Sequence, residues 1–219
     1  MITFNDIKNN KEIRSYIEKA DEALLALGYT EHSFAHVTKT AKISKEILET
    51  LGYDKRTAEL AQIAGYMHDI GNVINRADHA QSGAIMAFRI LDKLGMDVDE
   101  IATVISAIGN HDEATAFPVN AVAAALILAD KSDVRRSRVR NRDIATFDIH
   151  DRVNYSVLSS KLEIDKDNKY LIVKLKIDTE LFTIMEYFEI FLGRMLLCRR
   201  ASEYLKLRFK LVINDVELV

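Results

Sequence analysis

The sequence predicts a mainly α-helical protein with a small C-terminal α+β appendage. Apolar residues recur at helical spacing as far as about residue 150. One proline and eight glycines in 219 residues leave long segments free of helix-breaking residues. From about residue 151 the apolar pattern changes to alternation, which is typical of strands. We therefore expect a helical domain over residues 1–150 and a small domain over residues 151–219 with the element order β-β-α-β.

The helical domain should contain six main helices. Asp54 and either Asp97 or Asp99 are expected to cap two of them, and Gly71 is expected to end the third helix in the left-handed conformation. The helix that begins near Pro118 is apolar on nearly every side, so it should be buried. The predicted helices span about 5–27, 30–51, 55–69, 79–94, 101–108 and 119–131.

The C-terminal region should form a small sheet with one helix. Alternating segments at 153–164 and 169–177 flank a short polar turn, which predicts a hairpin. A helix over 181–204 and a third strand over 205–213 should follow. The helix has an aromatic and methionine stripe that we expect in the core: Phe182, Met185, Phe188, Phe191, Leu192, Met195 and Leu196. A sheet of three strands has exposed edges. We expect these edges to pair between subunits, which predicts a homodimer.

Composition narrows the possible surroundings and partners. The net charge of −3 and the pI of about 6.1 give no general reason to expect nucleic-acid binding. The chain has no apolar run of the roughly 20 residues that a membrane span needs. Its first residues do not resemble a signal peptide, and the single cysteine, Cys198, cannot form an intramolecular disulfide. We therefore expect a cytoplasmic protein without a membrane partner.

Histidine and acidic residues lie at helix ends or inside apolar helices in several separate segments. Taken singly, His36 or His79 is more often an ordinary hydrogen-bonded histidine. Taken together, imidazole and carboxylate groups suit a divalent transition metal, and a catalytic site leaves coordination positions open for water and substrate. The candidate ligands are His36, the adjacent pair His68 and Asp69, His79, His111 and Asp130.

The order of His36, then His68-Asp69, then Asp130 resembles the HD-domain superfamily of metal-dependent phosphohydrolases. The resemblance covers about residues 30–142 and implies an HD-type helical bundle in which these four residues bind one divalent metal. Members with two metals have additional histidines between the His-Asp pair and the last aspartate, where His79 and His111 lie. One or two ions therefore remain open, and Mn, Fe, Co, Ni, Zn and Mg are not distinguished.

The chemistry of such a site is hydrolysis by a metal-activated water. Asp69 would bridge two ions if both are present, and Lys131 is the best candidate for holding the substrate phosphate because it follows a ligand. Arg135, Arg76 and His32 are further candidate substrate contacts. Residues 131–142 contain six basic residues and one acid, although a solvated surface explains the later arginines equally well. Asp112 and Glu113 could orient His111 or face solvent.

We expect a phosphohydrolase acting on a small phosphorylated molecule, most plausibly a nucleotide or a nucleotide-like messenger. The alternative is a non-catalytic metal-containing ligand-binding or regulatory module that uses the C-terminal sheet for partner contacts. A nuclease would require the arginine run to form a continuous path to the metal. The absence of a Gly-Tyr-Pro signature argues against the subclass that acts on cyclic dinucleotides.

Overall fold

The computed structural model describes residues 1–180 and 183–218 and confirms a mainly helical protein followed by a small sheet. The helices are α1 (Phe4–Asn9), α2 (Lys11–Ala26), α3 (Phe34–Thr50), α4 (Lys55–Met67), α5 (His79–Lys93), α6 (Val98–Gly109), α7 (Ala121–Lys131), α8 (Ile149–Ser156) and α9 (Ile184–Tyr204). Short 3-10 turns lie at Ile70–Val73, Arg136–Arg138 and Ile144–Thr146. The strands are β1 (Val157–Asp165), β2 (Tyr170–Ile177), β3 (Arg208–Ile213) and β4 (Val216–Glu217).

The first predicted helix is divided in two by Asn10. The Asn10 side chain accepts hydrogen bonds from the backbone N–H groups of Glu12 and Ile13, so it caps α2 instead of continuing α1. The prediction of one helix from about residue 5 to 27 was therefore wrong at this position. The predicted caps Asp54 and Asp97 are confirmed, since each accepts hydrogen bonds from the first turn of its helix.

The predicted burial of α7 is confirmed, because all residues from Val122 to Lys131 are buried. This helix contacts α3, α4, α6 and α9. Helices α3 and α4 also pack closely against each other. A Cβ atom on Gly65 would lie only 2.8 Å from the Cα of Ala41, so glycine lets the two backbones approach at this point. The close packing brings the end of α4 next to the start of α3, where His36 lies.

Gly71 acts through its small size and not through a left-handed backbone. Gly28, Gly52 and Gly95 have positive φ angles after α2, α3 and α5, but Gly71 does not. The prediction of a left-handed Gly71 was wrong. A Cβ atom at this position would lie 2.0 Å from the carbonyl oxygen of His79. Glycine therefore allows the turn after α4 to lie directly against the start of α5.

The C-terminal sheet has the order β1-β2-β3-β4. Strand β2 is antiparallel to β1 and parallel to β3, and α9 forms the crossover between β2 and β3. The predicted first strand began too early, because residues 153–156 belong to α8, which Asp148 caps by accepting a hydrogen bond from the backbone N–H of Asp151. Helix α8 has only eight residues. In so short a segment, the pattern of apolar residues did not distinguish a helix from a strand.

A fourth, two-residue strand follows β3 and was not predicted. Asn214 and Asp215 both have positive φ angles, 49° and 67°. Two consecutive left-handed residues make the tight turn that suits an antiparallel hairpin. The Asn-Asp dipeptide between apolar residues was the sequence signal for this turn.

Helix α9 begins at Ile184 with a Thr183–Glu186 capping box. The predicted start at Leu181 and the core position of Phe182 lie outside the described residues. Phe191 and Met195 are buried as predicted, whereas Met185 and Leu192 are exposed. The buried side of α9 packs on α7 and belongs to the same hydrophobic core as the N-terminal helices. Among the described residues, the structure has no helix of the length and apolarity that crossing a membrane requires.

Candidate metal centre and adjoining cavity

The fold brings the six candidate ligands together from five helices. His36 lies in the first turn of α3, His79 is the first residue of α5, and His111 follows α6. His68 and Asp69 come directly after α4, and Asp130 is the penultimate residue of α7. All six are buried. The structure therefore clusters residues that are separated by as many as 94 positions in the sequence.

Four of these residues form a first group of facing ligand atoms. His36 Nε2 lies 3.2 Å from Asp130 Oδ1 and 3.6 Å from Asp69 Oδ2. His68 Nε2 lies 3.1 Å from Asp69 Oδ2 and 3.7 Å from Asp130 Oδ1. Atoms that share one ion at ordinary N and O bond lengths are about 3.0–3.4 Å apart. This group therefore has nearly the spacing that a single divalent ion requires.

Every histidine of the cluster uses Nδ1 for a protein hydrogen bond. When Nδ1–H donates, the lone pair on Nε2 is free for a metal. His36 Nδ1 bonds Asp133 Oδ2 at 2.8 Å, His68 Nδ1 bonds the Gly65 carbonyl at 2.9 Å, His79 Nδ1 bonds the Arg76 carbonyl at 3.0 Å, and His111 Nδ1 bonds the Ile108 carbonyl at 2.6 Å.

Three ligand atoms of the first group are buried without a hydrogen-bond partner among the described residues: His36 Nε2, His68 Nε2 and Asp69 Oδ2. An unpaired buried polar atom costs about 1–3 kcal/mol, and a carboxylate costs more. A shared cation satisfies all three atoms at once. The donor set and its missing partners thus fit a divalent metal.

A second group lies on the other side of Asp69. Its Oδ1 atom is 3.6 Å from His79 Nε2 and 3.9 Å from His111 Nε2, and the two histidine nitrogens are 3.1 Å apart. These atoms already have protein neighbours. Asn72 donates to Asp69 Oδ1 at 2.9 Å, and Arg76 Nη1 lies 3.4 Å from His79 Nε2. The ligand atoms of the second group are therefore better satisfied by protein contacts than those of the first group.

Asp133 supports the first group from behind His36. It is fully buried and also accepts hydrogen bonds from Lys39 and Arg135. Burial would raise the pKa of Asp133, but the hydrogen bond with His36 and the charge of Arg138 keep the pKa below its ordinary value. Asp133 is therefore an ionised group that orients His36, a role that the sequence analysis did not assign to it.

Lys131, the predicted phosphate contact, lines the cavity beside the cluster, and its ammonium group already has acidic partners. Its Nζ atom is 2.6 Å from Asp130 Oδ2 and 3.5 Å from Glu113 Oε2. The other oxygen of Glu113 accepts a hydrogen bond from Arg194 Nε at 2.8 Å. Burial would raise the pKa of Glu113, but the charges of Lys131 and Arg194 lower it to about 2. A chain of alternating charges thus runs from Asp130 to Arg194 on α9.

A cavity of about 300 Å³ adjoins the metal centre. Its lining includes the cluster residues Asp69, His79, His111 and Asp130. Helices α8 and α9 also line the cavity, a contribution that was not predicted from the sequence. Their polar lining residues are His150, Asp151, Asn154 and Arg194, with Asp148 at the N-terminal cap of α8. The C-terminal region is therefore part of the cavity.

The predicted substrate contacts are distributed unequally. Arg76 and His32 line the cavity, whereas Arg135 is not among the lining residues. Arg135 instead bonds Asp133, Glu31 and Ser137. Burial and the charge of Arg138 hold the pKa of His32 well below its ordinary value, so its ring is neutral at pH 7.

Much of the arginine run is used inside the protein. Arg138 is buried and donates to the backbone carbonyls of Glu31 and Asp133. Arg136 pairs with Asp178, and Arg140 pairs with Asp21. These ion pairs do not form the continuous basic path that a nuclease would need.

Comparison with known proteins agrees with the site geometry. No curated protein matches the chain. The family model of the HD domain matches residues 33–152, more than half of the chain, and this range includes all six clustered candidate ligands. Members of that family are generally metal-dependent phosphohydrolases. The chain therefore belongs to the HD-domain family.

Proposed function

We propose that the protein is a metal-dependent phosphohydrolase that cleaves a phosphoester or phosphoanhydride bond of a small phosphorylated molecule. The strongest support is the convergence of three buried, unpaired ligand atoms, from His36, His68 and Asp69, beside a cavity. Together with Asp130, these residues offer two imidazoles and two carboxylates. This donor set leaves coordination positions for water and substrate.

A divalent ion in the first group would supply an activated water and would neutralise charge on the phosphoryl oxygens. The protein's own residues would position the reactants. Lys131 fixes one oxygen of Asp130 and leaves the other directed at His36 and His68. We propose that the same ammonium group attracts the substrate phosphate, which makes Lys131 both a positioning group and a source of positive charge.

We propose that the first group binds its ion more tightly than the second. The first group has unpaired buried atoms, whereas the second group has Asn72 and Arg76 as neighbours. Asp69 would bridge two ions only when His79 and His111 also bind one. Its two carboxylate oxygens face the two groups separately, which is compatible with that arrangement.

A nucleotide or a nucleotide-like messenger suits the cavity best. A volume of about 300 Å³ is at the small end of ligand sites. Arg76 and Arg138 on the lining provide positive charge for phosphate, whereas Asp151 and Asn154 offer acceptors for sugar hydroxyl groups or base N–H groups. These lining groups support a substrate that carries both a phosphate and hydrogen-bond donors.

The proposal is tested by measuring metal content and phosphate release for the wild type and for Asp69→Ala on a broad panel of nucleotides and phosphomonoesters. We expect Asp69→Ala to lose bound metal and at least about 100-fold of activity while its circular dichroism stays helical. Asp92→Ala, an exposed acid on α5, is the control and should match the wild type. Metal content per wild-type chain also distinguishes one ion from two.

Two results would contradict the proposal. Full turnover by Asp69→Ala would exclude the assigned centre. Tight binding of a nucleotide by the metal-loaded wild type, without hydrolysis of any member of the panel, would identify a non-catalytic binding or regulatory module instead.

A further inference from the structure

The guanidinium group of Arg194 is a charged group of the cavity that the metal centre does not explain. Arg194 lies on α9, outside the residues that match the HD-domain model. It nevertheless lines the same cavity as Asp69 and Asp130. Its position depends on the packing of α9 on the buried helix α7. The C-terminal region therefore adds a positive charge to a site that the family domain alone does not supply.

The Arg194 side chain is held in place but keeps most of its donors. Its Nε–H group donates to Glu113 Oε1 at 2.8 Å, and its guanidinium carbon lies 4.2 Å from the centre of the Phe191 ring. Among the described residues, its two terminal nitrogens have no hydrogen-bond partner. A guanidinium has five N–H donors, so four remain for a ligand. A fixed fork of this kind suits the paired oxygens of an oxyanion.

Lys131 adds a second positive charge to the same location. Glu113 contacts both cations, through Oε2 to Lys131 at 3.5 Å and through Oε1 to Arg194. Lys131 also pairs with Asp130, so two cations face two carboxylates in the protein alone. A divalent ion held by Asp69 and Asp130 would offset both of those carboxylates and leave two cations with one acid, Glu113. The local charge would then be +1, which favours an anion.

We propose that Arg194 forms an oxyanion-binding subsite for a phosphate or carboxylate group of the substrate other than the phosphate that Lys131 attracts at the metal centre. This inference rests on the proposed function, and it adds that the substrate carries a second anionic group. Glu113 anchors both cations and keeps the Arg194 fork in a single orientation. A simple structural ion pair between α9 and Glu113 would not require the remaining donors of Arg194 to line a cavity.

The test is calorimetric titration of the full-length protein with inorganic pyrophosphate and with malonate, as purified and after EDTA treatment. We expect Arg194→Met to weaken the binding of the better probe by about tenfold or more, because charged hydrogen bonds are lost. Arg194→Lys should bind with intermediate affinity. Arg199→Met is the matched control, since Arg199 is an exposed arginine of the same helix that pairs with Glu203, and it should change affinity by less than about twofold.

Glu113→Gln separates ligand binding from structural support. If Arg194 binds the anion, this variant keeps its affinity for the probe or gains affinity, because a competing acid is removed. A stronger effect of Arg194→Met on pyrophosphate than on malonate identifies a phosphate subsite, and the reverse identifies a carboxylate subsite. Equal probe affinities for the wild type and a folded Arg194→Met would overturn the proposal. If Arg194→Met does not fold, equal affinities for the wild type and Arg194→Lys would overturn it.

The two proposals can fail separately. Arg194-dependent binding of the probe without hydrolysis of any substrate would support the subsite and contradict the proposed enzymatic activity. Hydrolysis with the same KM in the wild type and in a folded Arg194→Met would support the proposed enzymatic activity and contradict the subsite.

Discussion

The hydrogen bond between His36 and Asp133 controls the direction of one candidate metal ligand. His36 Nδ1 donates to Asp133 Oδ2, which leaves Nε2 facing Asp69 and Asp130. Because Asp133 is an ionised acceptor for Nδ1–H, it favours metal binding at Nε2. The buried carboxylate is in turn paired with Lys39 and Arg135. The orientation of His36 thus depends on a residue outside the six candidate ligands.

We expect Asp133→Asn to weaken metal binding by about 10- to 100-fold. The amide keeps the shape of the side chain but removes the charge that fixes the His36 tautomer. The measurement is metal affinity by calorimetry, with thermal unfolding of the metal-free protein recorded in parallel. Asp178→Asn is the matched control because Asp178 also pairs with an arginine, Arg136, but does not line the cavity. Unchanged metal affinity in a folded Asp133→Asn would contradict the role of Asp133.

The clustered candidate ligands were easier to predict from the sequence than the residues that support them. His36, His68, Asp69 and Asp130 follow a family order, and their apolar surroundings made ordinary surface roles improbable. Arg194 has no such signal, because one arginine in an amphipathic helix is usually solvated. It reaches the cavity only through the packing of α9 on α7, and that packing is not encoded in local spacing.

At the scale of elements, the contact between the turn after α4 and the start of α5 determines the distance between Asp69 and His79. Gly71 makes this contact possible. A side chain there would meet the His79 carbonyl oxygen at 2.0 Å and the Gly83 nitrogen at 2.5 Å, both of them backbone atoms. Backbone atoms cannot move away as a flexible side chain can. The turn and α5 would have to separate.

We expect Gly71→Ala to lower the free energy of unfolding by about 3 kcal/mol, near the upper end for overpacking. Any folded fraction should also lose metal from the second group more readily than from the first, because His79 moves away from Asp69. Denaturant unfolding and metal content measure the two effects. Gly109→Ala is the control, since its Cβ would meet only the Ala84 side chain at an ordinary 3.6 Å. A wild-type unfolding curve for Gly71→Ala would show that the contact is not restrictive.

The elements were predictable where local chemistry decides them. Asp54, Asp97 and Gly95 mark helix ends that the structure confirms. The prediction was wrong where local and longer-range effects compete. Asn10 interrupts an apolar stripe that continues on both sides, and α8 replaces the first four residues of a predicted strand. For Gly71, the sequence could indicate a position that requires glycine. It could not indicate that close packing against α5 is the reason.

At the scale of the whole molecule, the N-terminal helices and the C-terminal region share one core. Residues of α7 and α9 are in contact, and buried residues of β2 and β3 belong to the same cluster as those of α3 and α4. The predicted division at residues 150 and 151 falls within α8. The shared packing explains how a region outside the family match supplies part of the cavity wall. The two segments therefore share buried residues and an interface between helices.

The edge of the sheet bears on the predicted homodimer. Strand β1 lies at one end of the sheet and, within the described residues, has a strand partner only on its β2 side. Its nine residues offer a long row of backbone groups, whereas β4 at the opposite edge has only two residues. An unprotected long edge favours pairing with another strand. Lys161 and Glu163 are exposed on β1, and an antiparallel pair of β1 strands centred on Leu162 would place each next to its opposite charge.

We predict that the protein sediments as a dimer at micromolar concentration through pairing of two β1 strands. Glu163→Lys should shift the equilibrium toward monomer, because it places like charges opposite each other in both copies. Glu180→Lys is a control with the same charge change at an exposed position outside the strands. Sedimentation velocity across about 1–50 µM measures the equilibrium. A wild type that stays monomeric throughout this range would exclude the dimer, and a Glu163→Lys variant as dimeric as the wild type would place the interface elsewhere.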